Sequence, residues 1–242
     1  MKVETIRYSM GALTAEGALV YADGISGRRP ALLMAPNWMG VTDKAIERGK
    51  LLAGDRYVVL VADMYGQDTR PADFGEAPQL ANPLRANAAE ARRRIRAALD
   101  TLRVEGDQRG LIDHRCAAVG FCFGGGNVLE LARDGAPIAA AVSIHGDLKT
   151  TAPAQKGAVK AKLLVAHGVP DPIVPKADRD AFEAEMDAAG AQWQMLLMSG
   201  VYHAYTDQGF DLPGVSGWNE PATRQTYALM HRFIADAFDG RL

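Results

Sequence analysis

Short, mostly apolar runs alternate with amphipathic stretches along nearly the whole chain. The runs lack the apolar–polar alternation of a half-exposed strand and are too short for buried helices, so they predict strands covered on both faces. Strands that alternate with helices along a chain predict an α/β fold, with a mostly parallel central sheet and helices on both faces. We assign such strands to residues 31–35, 57–62, 116–121, 138–144, 162–166 and 193–198.

The stretches between these runs carry helical periodicity. Between Leu84 and Leu102, apolar residues recur every three or four positions, and Asn82-Pro83 ahead of them supplies an expected cap and first-turn proline. Residues 64–82 are rich in Gly, Asp and Pro and are predicted to form one long irregular connection, a kind of loop that is often functional. Further helices are predicted over residues 127–133, 178–188 and 222–237.

The N-terminal segment has a different pattern from the rest of the chain. Residues 4–8 and 18–21 resemble a pair of antiparallel strands at the edge of the sheet. No linker rich in Pro, Gly or Ser divides the sequence, and no internal repeat is visible. We therefore expect a single domain over residues 1–242.

The composition is that of an ordinary globular protein. Of 242 residues, 48% are hydrophobic and 23% are charged, which excludes a disordered chain, and a net charge of −2 argues against a nucleic-acid partner. We accordingly interpret the arginine-rich stretch at 92–96 as a solvated helix face. With only two cysteines, no signal-peptide pattern at the N-terminus and no run of ~18 apolar residues, the sequence predicts a soluble cytoplasmic protein without a membrane partner.

The sharpest chemical signal is the segment Gly120-Phe121-Cys122-Phe123-Gly124, which follows a predicted strand and precedes a predicted helix. Small residues around a nucleophile form the pattern of a nucleophile elbow, here with cysteine in the place of the more usual serine. The sharp turn strains the backbone of the nucleophile, so its surroundings must be small. The side chain then projects above the sheet at a helix N-terminus, where a negative charge is favoured.

Two other interpretations of this segment compete with the elbow. Glycines after a strand can form a phosphate loop, but no Gly-Lys-Ser/Thr follows, and the spacing does not fit the dinucleotide fingerprint. Cys122 could instead be a small buried hydrophobic residue, as Cys116 inside the strand is expected to be. The context favours the elbow, and the second alternative stays open at this point.

An acid and a histidine follow in the chain order that a hydrolase with this elbow requires. Asp171 comes after the strand 162–166, and ligands of open α/β sheets bind at the carboxyl ends of the strands. His203 comes after the last predicted strand and before the last helix. We therefore predict a catalytic set of Cys122 as nucleophile, His203 as base and Asp171 as acid.

Other titratable residues are weaker candidates for these roles. His145 could serve as the base, but it precedes Asp171 in the chain, and Asp147 is an alternative acid in a poorer position. His167 is expected to support the Asp171 loop by hydrogen bonding. The spacing of His and Cys fits no metal site, and we predict neither a metal nor another cofactor. Two histidines are expected to have no catalytic part: His114 in a surface loop and His231 in the last helix.

Taken together, these segments resemble the dienelactone hydrolase family. The resemblance extends from about Ala31 to the end of the chain, and the cysteine elbow is its most specific element. It implies an α/β-hydrolase fold without a large cap domain, and a Cys–His–Asp triad that hydrolyses esters or lactones. The residues that carry it are 120–125, 167–171, 202–206 and 218–222.

Two departures from the family concern the substrate. In dienelactone hydrolases a glutamate after the first central strand helps to activate the thiol, and the resemblance implies that Asn37 stands in its place. Members that act on dienelactones also carry an arginine shortly after the histidine. Here the residues that follow His203 are Ala204, Tyr205, Thr206 and Asp207. The fold and the triad are therefore expected to carry over, and dienelactone as the substrate is not.

The remaining expectations concern the pocket and its ligand. We expect a small-molecule ester or lactone, with its oxyanion bound by the backbone N–H groups of Phe123 and Trp38. Asn37 is expected to orient substrate or water, while Trp38, Met39, Tyr65 and Phe123 line an apolar pocket. For Tyr65 and Phe123, packing in the core is the alternative. We expect a monomer or a small homo-oligomer.

Two further functions stay open besides the hydrolase. A protein with the same fold could bind a ligand without turnover. This hypothesis depends on Asn37, which stands where the family has the glutamate that helps to activate the thiol. An exposed, reactive cysteine could also respond to oxidants, although no second cysteine is expected to lie close enough to form a disulfide with it.

Overall fold

The central sheet has eight strands in the computed structural model, which describes residues 1–24 and 26–242. Across the sheet they run in the order β1-β2-β4-β3-β5-β6-β7-β8. β1 pairs antiparallel with β2, and β2 pairs antiparallel with β4, whereas all neighbours from β4 to β8 are parallel. The mostly parallel sheet with an antiparallel N-terminal edge is thus confirmed. The strands are β1 (Lys2–Met10), β2 (Leu13–Tyr21), β3 (Arg29–Ala35), β4 (Val58–Val61), β5 (Ile112–Phe121), β6 (Ala140–Ile144), β7 (Lys162–Gly168) and β8 (Trp193–Met198).

Helices cover both faces of this sheet. One buried apolar cluster joins α1 and α6 to the sheet, and a second joins α2, α3, α4 and α5 to the opposite face. Alternate residues of β3 enter the two clusters, with Leu32 in the first and Leu33 in the second, as the period of a strand requires. The helices are α1 (Asp43–Ala53), α2 (Ala77–Arg85), α3 (Ala88–Gln108), α4 (Phe123–Arg133), α5 (Lys176–Ala189) and α6 (Glu220–Phe238).

The helix predicted over 84–102 is wrong in its N-terminal part. Pro83 lies inside α2, so the cap predicted at Asn82-Pro83 is not there. α3 begins after Asn87, whose side chain accepts a hydrogen bond of 3.1 Å from the N–H of Glu90. This bond satisfies one of the first helical N–H groups, which have no partner within the helix.

Two further local predictions need correction. α2 occupies the last part of the connection predicted over 64–82, and α1 was not predicted at all. The start of α1 did carry a signal, because the Thr42 side chain accepts a hydrogen bond from the N–H of Ala45 and so acts as a helix cap. His114, expected in a surface loop, is an exposed residue of β5.

The arginine-rich face of α3 is not simply solvated. Arg92 binds Glu130 of α4 at 2.7 Å, and both side chains are largely buried. Arg96 binds Asp134 just beyond α4 at 2.8 Å. These arginines therefore join two helices, which sequence periodicity alone could not reveal.

No helix in the described part of the chain is both long enough and apolar enough to cross a bilayer.

Candidate active site

Cys122 lies at the sharp turn between β5 and α4. Its backbone has φ 52° and ψ −120°, a conformation that is costly for a residue with a side chain. The glycines around it are required by space: a Cβ at Gly120 would lie 2.0 Å from the carbonyl oxygen of Gly124, and a Cβ at Gly124 would lie 2.1 Å from that of Ala35. The strained turn predicted from the small flanking residues is present.

The turn leaves Cys122 at the N-terminus of α4. Its carbonyl oxygen accepts hydrogen bonds from the N–H groups of Gly125 and Gly126, while its side chain makes no capping bond. The positive end of the helix dipole therefore lies next to the sulfur, where it favours negative charge.

The loops that follow β7 and β8 also reach Cys122. They lie side by side because these two strands are neighbours in the sheet. A Cβ at Gly168, the last residue of β7, would lie 1.8 Å from the carbonyl oxygen of Val201, so only glycine permits this approach of the two loops. The Asp171 side chain accepts hydrogen bonds from the N–H groups of Ile173 and Val174 at 2.8 and 3.1 Å. The carboxylate is thereby held in a single orientation.

The structure brings Cys122, Asp171 and His203 into one hydrogen-bonded row. Nδ1 of His203 lies 2.8 Å from Oδ2 of Asp171, and Nε2 of His203 lies 3.2 Å from the sulfur of Cys122. All three side chains are buried. An imidazole held between a carboxylate and a sulfur can take a proton from one side while the other side stabilises its positive charge.

The neighbours of His203 set its charge. Burial opposes the imidazolium form, but the charge of Cys122 and the hydrogen bond that Nδ1 of His203 donates to Asp171 outweigh that effect and raise the pKa of His203 to about 10. Burial likewise opposes ionisation of Asp171, but its hydrogen bonds with His203 and with two backbone N–H groups keep the pKa of Asp171 below its ordinary value. At neutral pH the pair is therefore a carboxylate and an imidazolium.

The weaker sequence candidates lie around this row without joining it. His145 is fully buried and its Nε2 lies 2.8 Å from Oγ1 of Thr206, and burial lowers the pKa of His145 well below its ordinary value. Asp147 binds Arg85 at 2.7 Å. The expected hydrogen bond of His167 is not there: among the described residues its ring nitrogens have no hydrogen-bond partner, and the Asp171 carboxylate is 4.0 Å away.

The loop after β3 and the residues packed on it form the other wall. Tyr65 donates a hydrogen bond of 2.8 Å to the carbonyl oxygen of Trp38, and its ring stacks on Phe123 with centroids 5.7 Å apart. Tyr65 and Phe123 also belong to the buried core, whereas Trp38 and Met39 are half-buried. Oδ1 of Asn37 accepts a hydrogen bond of 3.0 Å from the N–H of Met39, which holds the loop in its turn.

Sequence reasoning missed two arginines at this end of the sheet. Arg85 lies over the rings of Trp38 and Phe123, with its guanidinium carbon 5.7 and 5.6 Å from their centroids. Arg48 of α1 donates to the carbonyl oxygen of Thr206 at 3.0 Å and pairs with Asp207. Both lie on helix segments that the sequence pattern misjudged, so no signal along the chain pointed to them.

Within residues 1–24 and 26–242, no three side chains of His, Cys, Asp or Glu come together in a group able to hold a metal ion.

Comparison with known proteins gives concordant matches. A model of the dienelactone hydrolase family matches residues 16–238. The solved structure of a dienelactone hydrolase-like promiscuous phosphotriesterase from metagenomic libraries is 32% identical, covers 98% of each chain and has a TM-score of 0.89. A Salmonella typhimurium protein, provisionally named carboxymethylenebutenolidase, is 24% identical and covers 86% of this chain and 78% of its own.

A more distant structure agrees in fold. The dienelactone hydrolase from Anabaena variabilis is 20% identical, covers 95% of this chain and 97% of its own, and has a TM-score of 0.66. The α/β-hydrolase fold implied by the sequence resemblance is confirmed by these structures. Since the family model spans nearly the whole sequence, this chain belongs to the dienelactone hydrolase family, and it is a hydrolase of carboxylic-ester or lactone bonds.

Proposed function

We propose that the chain hydrolyses an ester or lactone bond of a small molecule with Cys122 as nucleophile, His203 as base and Asp171 as the acid that orients the histidine. One observation carries the proposal: a continuous row runs from Oδ2 of Asp171 through the imidazole to the sulfur of Cys122, with steps of 2.8 and 3.2 Å. Nucleophile, base and orienting acid in this sequence are the parts that covalent hydrolysis needs.

Acylation is the first half of the proposed reaction. Cys122 attacks the carbonyl carbon of the substrate as a thiolate, with the proton held on Nε2 of His203, and the attack gives a tetrahedral oxyanion. When this intermediate collapses, the C–O bond breaks and His203 returns its proton to the departing alkoxide. The products of this half are an alcohol and a thioester on Cys122. For a lactone, the alcohol remains part of the same molecule.

The oxyanion is assigned to the backbone N–H groups of Phe123 and Trp38. Phe123 is the first residue of α4 and directly follows the nucleophile, and Trp38 lies in the loop after β3. Neither N–H donates a hydrogen bond to another residue in the described part of the chain, so both are free to receive a developing charge. Each donor of this kind contributes roughly 3–4 kcal/mol to lowering the barrier.

Deacylation repeats the chemistry with water. Free of its proton after the first half, His203 takes one from a water molecule, which attacks the thioester carbonyl. Collapse of the second oxyanion breaks the C–S bond, releases the carboxylic acid and regenerates Cys122. Asp171 remains a carboxylate throughout and stabilises each imidazolium.

The substrate pocket is assigned to residues of two walls. Trp38, Met39, Tyr65 and Phe123 supply apolar surface, and Asn37 supplies a neutral amide. The Asn37 amide is already engaged with the Met39 N–H and with Asp207, so we assign it to shaping the loop as well as to orienting substrate or water.

Intact-mass analysis during turnover of 4-nitrophenyl acetate tests this proposal. We expect an acetyl adduct on the wild-type chain, mapped to Cys122, and no adduct or turnover with Cys122→Ala. Absence of both adduct and turnover across a panel of activated esters and lactones would favour a ligand-binding protein without activity. Cys116→Ala is the matched control, because Cys116 is buried inside β5.

The metagenomic relative favours a second activity. That protein is described as a promiscuous phosphotriesterase and is 32% identical over 98% of each chain. We propose that Cys122 also attacks the phosphorus of an activated phosphotriester: an S–P bond forms, the P–O bond to the aryloxide breaks, and His203 gives its proton to the departing aryloxide. The same N–H donors can receive charge on the phosphoryl oxygen during this step. Release of 4-nitrophenol from diethyl 4-nitrophenyl phosphate by wild type, and not by Cys122→Ala, is the expected result.

A further inference from the structure

Three aromatic rings form a continuous surface that leads away from the proposed oxyanion site. The centroid of Trp38 lies 6.4 Å from that of Phe74, and the centroid of Phe74 lies 4.5 Å from that of Phe210. We call these three residues the aromatic shelf. Phe74 is 46% exposed, and Trp38 and Phe210 are half-buried. Aromatic rings grouped at a surface mark a binding site more often than scattered apolar residues do.

The shelf is anchored at both ends to residues of the proposed chemistry. Trp38 contributes the ring at one end, and its own N–H is a proposed oxyanion donor. Phe210 belongs to the loop that follows His203. Two backbone hydrogen bonds of 3.1 Å tie that loop to the histidine, one from His203 N–H to Val215 and one from Gly217 N–H to the His203 carbonyl oxygen. Both ends of the aromatic shelf therefore belong to loops that also carry residues of the proposed chemistry.

The charges around the shelf favour a neutral occupant. Arg85 lies over the Trp38 ring, but its charge is balanced by Asp147 at 2.7 Å. Asp73 and Asp211 flank Phe74 and Phe210 in the sequence and use their carboxylates to bind backbone N–H groups. An anionic substituent would meet these carboxylates, and the cation over Trp38, Arg85, is already paired with Asp147, whereas an apolar group would only cover the rings.

We infer that the aromatic shelf binds an apolar substituent, an aryl group or a medium-length alkyl chain, of a neutral ester. The inference rests on the proposed function, because it places this substituent next to the carbonyl that Cys122 attacks. Each methylene buried on the shelf is expected to raise kcat/KM by roughly fourfold. The substrate class is thus neutral esters with an apolar arm.

A chain-length comparison provides the main test. We expect kcat/KM for 4-nitrophenyl hexanoate to exceed that for the acetate by at least about tenfold, and Phe74→Ala to reduce this ratio to within about twofold of one. Phe74→Tyr keeps the ring and should retain the ratio. Leu51→Ala is the matched control, since Leu51 is 65% exposed on α1 and lies outside the site. Benzyl acetate against ethyl acetate tests whether the alcohol side uses the shelf instead of the acyl side.

A second measurement does not require turnover. Cys122 should react faster with N-phenylmaleimide than with N-ethylmaleimide, relative to free cysteine, and Phe74→Ala should remove this preference. If no ester is hydrolysed but the maleimide preference is present and depends on Phe74, the aromatic shelf binds apolar groups and the proposed function is wrong. If esters are hydrolysed with ratios that do not respond to chain length, to the alcohol group or to Phe74→Ala, the shelf is overturned.

Association of two copies is the other possible occupant of the patch. Sedimentation velocity over a range of concentrations distinguishes it from a substrate site. A dimer that Phe74→Ala dissociates, together with unresponsive ester and maleimide ratios, would assign the rings to a second copy of the chain and overturn the inference.

Discussion

Nδ2 of Asn37 donates a hydrogen bond to Oδ2 of Asp207 over 3.3 Å and so joins the loop after β3 to the loop that follows His203. Arg48 pairs with the same carboxylate from α1. The resemblance to dienelactone hydrolases implies a glutamate at the place of Asn37 and an arginine shortly after the histidine. In this chain an amide faces a carboxylate instead, and Arg48 supplies the balancing charge.

Asn37→Asp should make the activity depend on pH in a new way. The substitution places a carboxylate at position 37 about as close to the Asp207 carboxylate as the Asn37 amide now lies, at 3.3 Å. Because the two negative charges repel each other, one of the two carboxyl groups will hold a proton until the pH is well above the ordinary range of a carboxyl group. We expect kcat/KM for an aryl ester to fall at least tenfold at neutral pH and to recover partly as the pH falls. Asn37→Glu should alter the profile in the same direction.

The double variant Asn37→Asp with Asp207→Asn is the control, because it restores one amide and one carboxylate. It should recover most of the activity at neutral pH. An unaltered pH–rate profile in the single variant would mean that this contact does not influence the reaction.

Removal of the base should nearly abolish turnover. We expect His203→Ala to lower kcat by at least about a thousandfold, since among the described residues only His203 lies within hydrogen-bond distance of the Cys122 sulfur. His114→Ala, which removes an exposed histidine of β5, is the matched control and should leave kcat unchanged. Near-wild-type activity of His203→Ala would place the base elsewhere and make His145 the candidate to test.

The alkaline limb of the activity should report His203. Because its pKa is raised to about 10, the imidazolium persists through neutral pH, and kcat/KM should fall only as the pH passes about 10. Because the pKa of His203 is higher in the folded chain than in the unfolded chain, protonation of His203 also stabilises the fold. This contribution is complete below the pKa of His203 in the unfolded chain and is lost as the pH rises through about 10. Asp171→Asn removes a carboxylate that favours the imidazolium, so its alkaline limb should lie at lower pH. If the alkaline limb lies at the same pH in wild type and in Asp171→Asn, Asp171 does not influence the pKa of His203.

The two cysteines should differ strongly in alkylation. Burial raises the pKa of Cys116 to about 11, and its sulfur lies inside the sheet, whereas Cys122 faces His203 at a helix N-terminus. Peptide mapping after a brief iodoacetamide pulse should find the label on Cys122. Cys116→Ala should label to the same extent as wild type, and predominant labelling of Cys116 would contradict the assignment.

Unfolding in mild acid should depend on His167. Burial lowers the pKa of His167 to about 3, while in the unfolded chain it titrates near 6.5, so the unfolded state binds an extra proton between these values. Stability is therefore retained above about pH 6.5 and lost below it, by about 1.4 kcal/mol per pH unit for this residue.

Urea denaturation between pH 7 and pH 4 measures that slope. His167→Leu should reduce it by about that amount, whereas His114→Gln, a change at an exposed position, should not alter it. Equal slopes for wild type and His167→Leu would mean that His167 is already charged in the folded state.

Local pattern and one topological rule were enough for the architecture and the central row. Apolar runs bounded by turns located the strands, and small residues around Cys122 predicted the strained turn that Gly120 and Gly124 make possible. The carboxyl ends of parallel strands lie at one edge of a sheet, so residues after β5, β7 and β8 had to approach one another. Signals of this kind depend only on residues that are close together in the sequence, so they can be recognised without knowledge of the fold.

The tertiary structure alone decided what surrounds that row. Asn37 meets Asp207, Trp38 meets Phe74, and Phe74 meets Phe210 across long separations along the chain, and no period or spacing in the sequence links these positions. Arg85 reaches the site because α2 ends where it does, although propensity and Pro83 favoured a different boundary. Contacts between distant loops depend on how whole helices pack against the sheet, and that packing is settled by the complete core rather than by any one segment.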